Sequence, residues 1–129
     1  MTIQLKKIIG WTDQRGLVFE PLASTEFKGL KNVHVVISFP GTVRGNHYHL
    51  LGTEIIVVTG SARVCYRIGD VIEHVDIPPD EIYRFTFEPG VAHAVLNTGD
   101  RQNVLIAFST EPHDRDSPDV VHEELIAPS

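Results

Sequence analysis

The chain of 129 residues predicts an all-β fold, an antiparallel sandwich or barrel. Three observations carry this. Short runs of β-branched and aromatic residues alternate with polar ones, Gly, Pro and Asp break the runs apart, and no stretch of ten or more residues holds a capped helical period. One domain over 1–129 is expected, with the barrel core at about 30–110, N-terminal strands in 1–29 and a C-terminal extension at 111–129.

The elements follow in order. Lys31 to Phe39 alternates, with Val33, Val35, Ile37 and Phe39 on one face and His34, Val36 and Ser38 on the other. Glu54 to Thr59 is β-branched and ends at Gly60. Ala62 to Ile68 and Val71 to Asp76 flank Gly69-Asp70, a two-residue hairpin signal. Ile82 to Phe87 alternates aromatic and polar residues; Ala92 to Asn97 and Asn103 to Ser109 complete the set. The polar, proline-broken run Glu111 to Asp119 is expected to wrap the surface and lead into an edge strand or short turn at Val120 to Leu125.

Composition narrows the function. A net charge of −6 argues against nucleic acid, whose binders present a basic patch. The single cysteine, Cys65, forms no internal disulfide and reads as a buried thiol in a reducing compartment. No apolar run approaches the roughly 18 residues of a membrane helix, and Met1 to Lys7 carries no secretory signal, so a cytoplasmic location without membrane contact is expected.

The chemistry concentrates in two stretches. Gly41 to Glu54 contains His47, Tyr48, His49 and Glu54, and Pro89 to Asn97 contains His93. Because strand side chains alternate, His47 and His49 point the same way and Tyr48 the other. A hairpin turning over Leu50 to Thr53 is expected to bring Glu54 beside the two rings, and His93 supplies a third imidazole. Three imidazoles and a carboxylate suit one divalent ion; zinc, iron, manganese, nickel and copper all take nitrogen and oxygen donors of this kind, and affinity order alone does not choose among them.

At these residues the chain resembles the cupin superfamily. The first cupin pattern runs here as Gly41, His47, His49, Glu54 and Gly60, one residue short before the last glycine. The second runs as Gly90, His93 and Asn97, with its proline one place late at Pro89. Both departures fall at turns. The resemblance implies a double-stranded β-helix with a metal site inside. A narrower likeness, carried by Asp13 to Gly16, Arg44 to His49 and Glu111 to Asp119, is to sugar-nucleotide cupins. One such relative is the zinc-containing C-terminal cupin domain of capsular polysaccharide enzymes, which epimerises a UDP-4-keto sugar. The others are the rhamnose-pathway 3,5-epimerase and related ketoisomerases, which contain Arg-Gly-x-His and need no metal. Those ketoisomerases tend to carry Gln where this chain has Glu54, and the acid tilts the match toward the metal-binding relative.

The expected substrate is therefore a small molecule, a nucleotide-linked keto sugar, and the expected reaction is epimerisation or isomerisation for surface polysaccharide. Arg44 is the candidate for gripping a pyrophosphate. In the metal-free relatives the histidine at the position of His47 is the base, and an ion would occupy its lone pair. The base is then sought at His34, with Tyr66 and Tyr83 as candidate proton donors. His74, His113 and His122 lie outside the motifs, and Trp11 reads as a packing anchor or dimer contact. Two other readings stand beside this one: a small metal-dependent dioxygenase or lyase, and a sugar-binding or small-ligand-binding module without turnover. A homodimer formed by strand exchange at the N-terminus is expected, given the exposed edges of such a barrel.

Overall fold

The computed structural model describes residues 3–128. Alternation dictates its elements. Twelve strands follow one another: β1 (Gln4–Ile8), β2 (Trp11–Asp13), β3 (Gly16–Val18), β4 (Asn32–Ser38), β5 (Val43–His49), β6 (Glu54–Thr59), β7 (Ala62–Ile68), β8 (Val71–Ile77), β9 (Ile82–Phe87), β10 (His93–Asn97), β11 (Asn103–Ser109) and β12 (Val120–His122). A single 3-10 turn spans Ser24–Glu26. No helix among the described residues is long and apolar enough to cross a membrane.

Two five-stranded sheets result, ordered β1-β9-β6-β11-β4 and β12-β5-β10-β7-β8, beside a separate β2-β3 hairpin. Every strand pair within them is antiparallel. This is the expected double-stranded β-helix. Strands adjacent in sequence cross repeatedly between sheets: β4 lies in the first, β5 in the second and β6 in the first again. The site exploits this crossing.

The inward rows of both sheets form the core. Phe85, Phe87, Ile56, Val58 and Val64 are all at most 2% exposed, and Tyr66, Val91 and Val95 pack with them. A second cluster lies over Ile8, Val57 and Ile82, with Phe19, Ile106 and Phe108 against it. β6 is thus apolar on both faces, as the unbroken run Ile55-Ile-Val-Val58 requires. Cys65 is buried and unpaired by any disulfide.

β4 departs from the usual rule that the more apolar row turns inward. Val33, Val35, Ile37 and Phe39 are 57, 61, 56 and 62% exposed, while Val36 lines the barrel and Ser38 is buried. The C-terminal run from 112 to 118 is exposed, and β12 then adds to β5 as an edge strand.

Candidate metal centre

Four side chains meet where the two sheets face each other. β5 carries His47 and His49, β10 opens at His93 directly opposite His47, and Glu54 opens β6 in the other sheet. The expected hairpin is not what joins them: β5 pairs with β10 and β12, and β6 with β11 and β9. The turn between them crosses from one sheet to the other, so the carboxylate reaches across the barrel to imidazoles on the facing wall. One donor atom from each of the four lies within 4.8 Å of the rest. Bonds of about 2.0–2.2 Å put tetrahedral donors on one zinc roughly 3.3 Å apart, so the group is gathered and slightly open. The ring centroids of His47 lie 5.1 Å from those of both His49 and His93.

A bulge sets this register. Between His93 and Ala94 the β5 pairing shifts, leaving Asn46 as the extra residue after Gly45. Gly45 has φ +88° and Asn46 φ 58°, both in the left-handed region. The Asn46 side chain then accepts from the Leu125 and Ile126 amides and donates to the Ile126 carbonyl, tying the C-terminal segment to the back of the site.

The proton inventory speaks for a cation. His93 Nδ1 is 2.9 Å from the Val91 carbonyl, which can only accept, so Nδ1 carries its hydrogen. His93 Nε2 is nevertheless 2.8 Å from Glu54 Oε1, a second acceptor. His49 is held less tightly: Nε2 lies 3.0 Å from Glu54 Oε2, while Nδ1 stands 3.8 Å from Asp119 Oδ2, within ion-pair reach but too far for a hydrogen bond. His93 thus needs either a second proton or a cation shared by its Nε2 and the carboxylate, whereas His49 can meet Glu54 as a neutral ring donating from Nε2. A second proton would make the buried His93 an imidazolium beside two further imidazoles. A divalent ion answers the same lone pairs without that crowding. The donor set fits.

Electrostatics follow the geometry. Burial by itself would raise the Glu54 carboxyl, but hydrogen bonds from His49 and His93, and their charges, hold it well below the usual carboxylate range. Burial is the main reason that His47 is pushed down to about 4; His93 adds repulsion, Glu54 opposes, and His49 adds further. Burial also disfavours charge on His49, yet the hydrogen bond and attraction to Glu54, with Asp119 behind, raise it.

A cavity of about 340 Å³ opens beside the group, lined by His34, Arg44, His47, Glu54 and His93, with apolar walls from Val36, Ile56, Val95, Leu105 and Ala107. His34 is exposed at its rim, with Nδ1 3.3 Å from Asn32 Oδ1. Tyr66 and Tyr83 do not line this cavity. Tyr66 pairs with His93 in register, but its ring packs against Phe87 and its hydroxyl engages Glu73. The Tyr83 hydroxyl donates to Glu81 at 3.3 Å. Trp11, on the β2-β3 hairpin, is 64% exposed. His74, His113 and His122 are exposed.

Three contributors were not singled out from sequence. Phe87 stacks flat on His93, ring centroids 4.2 Å apart and 2° from parallel. The Val91 carbonyl orients the same ring. Asp119 faces the outer nitrogen of His49. The alternation over Ile82 to Phe87 puts Phe85 and Phe87 on one face of β9 but does not say what Phe87 touches, since that depends on pairing between distant strands.

Two antiparallel sheets closing over three histidines and a glutamate define a cupin. The chain belongs to the polysaccharide biosynthesis C-terminal domain family, whose model matches residues 11–121. It is 30% identical over 83 residues to a UDP-2-acetamido-2,6-beta-L-arabino-hexul-4-ose reductase of Pseudomonas aeruginosa, covering 62% of this chain and 22% of that protein. The capsular polysaccharide assembling protein CapF of Staphylococcus aureus is similar in structure, with TM-score 0.68 and 27% identity over 92% of this chain and 34% of that one. The chain thus spans about a fifth of the curated relative and a third of CapF. The 3,4-ketoisomerase QdtA of Thermoanaerobacterium thermosaccharolyticum, solved with TDP, shares the fold at TM-score 0.71 and 18% identity, over 94% of this chain and 88% of that one.

Proposed function

We propose that this chain holds one divalent ion, zinc in the first instance, on His47, His49, Glu54 and His93, and epimerises or isomerises a nucleotide-linked keto sugar for polysaccharide biosynthesis. The observation that carries the reading is four donor atoms within 4.8 Å of one another around a buried Glu54 carboxylate, with the Nε2 of His93 facing it while its Nδ1 is committed to the Val91 carbonyl. Membership of a polysaccharide biosynthesis family and likeness to sugar-nucleotide enzymes support the substrate class.

When bound, the ion supplies Lewis-acid polarisation of a ketone. The chain's own residues do the rest. Arg44, at the cavity, offers a planar fork for a pyrophosphate. The walls formed by Val36, Ile56, Val95, Leu105 and Ala107 exclude water around the reacting carbon. His34 donates from Nδ1 to Asn32 Oδ1, which leaves Nε2 free to take the proton next to the carbonyl. Two copies joined across the outer row of β4 complete the reading, because that row is an exposed apolar patch.

A second arrangement is favoured by one observation. His47 lines the cavity and, with its pKa down to about 4, is neutral at pH 7, so without an ion it could itself accept the proton. Chelation separates the two. The test begins with elemental analysis of the purified protein, His47→Ala and Glu54→Gln. Deuterium uptake from solvent into UDP- and dTDP-4-keto sugars is then followed with and without chelator. Stoichiometric metal in the wild type, its loss in both variants, and exchange that stops on chelation and in His34→Ala are expected. Exchange that survives chelation moves the base to His47, and no exchange with any keto sugar sinks the enzymatic reading.

A further inference from the structure

We infer that Asp119, in the C-terminal segment, is a positioning residue for the metal centre: it fixes the His49 imidazole and the turn that joins His49 to Glu54. This rests on the metal-binding reading above and adds a residue to it. Asp119 Oδ1 accepts from the Leu51 amide at 2.9 Å, and Oδ2 accepts from the Gly52 amide at 2.8 Å. Its backbone carbonyl accepts from the Leu50 amide at 3.1 Å. Three successive N–H groups of the turn therefore end on one residue. That turn carries the chain from β5 to β6, from one sheet to the other and from one donor to the next.

The same Oδ2 lies 3.8 Å from His49 Nδ1. Among the described residues, His49 is the cationic group within ion-pair distance of Asp119, whose side chain is only 18% exposed. A carboxylate 3.8 Å behind the outer ring nitrogen favours, by its charge, the tautomer with the hydrogen there, which turns the lone pair of Nε2 toward the centre. His93 is oriented more directly, by the 2.9 Å hydrogen bond from its Nδ1 to the Val91 carbonyl. The two rings that share Glu54 are thus each held from behind. Asp119 is in turn held by β12, in which Val120 pairs with His49. Gly52 leaves room for the clamp, since a Cβ there would stand 3.1 Å from Asp119 Oδ2.

Zinc affinity, measured on the full chain by competition with a chromophoric chelator, tests this in wild type, Asp119→Asn and Asp119→Ala. Nitrogen-15 NMR of the imidazole groups and the metal-free Tm are recorded alongside. Asp119→Asn keeps an acceptor for the turn, so it answers even where the alanine variant folds poorly. Zinc binding is expected to weaken 10–100-fold. The His49 Nδ1–H signal should lose its protection from exchange while that of His93 is unchanged. A lowered metal-free Tm with zinc affinity within twofold of wild type and an intact His49 signal would make Asp119 a turn clamp alone, and overturn the assignment. A wild type that takes up no zinc removes the metal centre and this role with it. Wild-type binding with unchanged variants removes only the role of Asp119.

Discussion

Gly45 shows how tightly one position can be constrained. Its φ of +88° is unfavourable for any residue with a Cβ, and a Cβ there would lie 2.9 Å from the His93 carbonyl oxygen and 3.2 Å from Ala94 Cα. Both neighbours are backbone and cannot rotate away. Gly29 has a similar φ of +85° with nothing within 4 Å, so it reports the conformational cost alone. Gly29→Ala should cost about 1–2 kcal/mol in urea unfolding. Gly45→Ala should cost more and weaken metal binding, because the displaced strand carries His93. Equal losses at the two sites would refute the contact argument. At this scale the donor types and the His47/His49 alternation were legible in the chain. Asp119 and Phe87 were not, because what a side chain touches beyond its own strand is decided by pairing between distant segments.

Among elements, β4 is the most informative. Its alternation is plain in the sequence, yet the row that turns outward is the more apolar one. The inward row carries His34 and Val36 to the cavity, so the less apolar row takes the side that hydrophobicity alone would have given to the other. β4 is also a sheet edge, and an exposed apolar edge invites pairing. The wild type is therefore expected to sediment at twice its 14.4 kDa, and Ile37→Lys at 14.4 kDa with an unchanged circular dichroism spectrum. Sedimentation velocity checks this, and a wild type that runs as a monomer at tens of micromolar defeats it. The hairpin at Gly69-Asp70 and the limits of β6, β7, β9 and β11 follow the sequence closely, since local turn chemistry and alternation specify them.

For the molecule as a whole, stability depends on clamps as well as core. The segment before β4 is held to the barrel by Glu26, whose carboxylate accepts two bonds from Arg84 at 3.0 and 2.7 Å, while Arg84 also donates to the Pro21 carbonyl. The Ala23 amide bond lowers the Glu26 pKa; burial opposes, and Arg84 then lowers it further, below the ordinary 4.5. A carboxylate with a depressed folded pKa stabilises above its unfolded pKa, and that contribution is lost as pH falls through the folded value. Glu26→Gln should therefore have a lower Tm than wild type at pH 7, and the gap should shrink below pH 4. Thermal scans across pH 3–8 check it, and a gap independent of pH would mean that the charge contributes nothing.

The amino-acid sequence by itself determined the β character, most strand limits, and the four donors in two short motifs, because alternation, turn residues and side-chain chemistry are local properties. Only the tertiary structure decided which face of β4 looks inward, that Glu54 reaches its histidines from the opposite sheet, and that a C-terminal aspartate stands behind one of them. Those arrangements depend on strand order and register, which arise from many weak contacts between segments far apart in the chain.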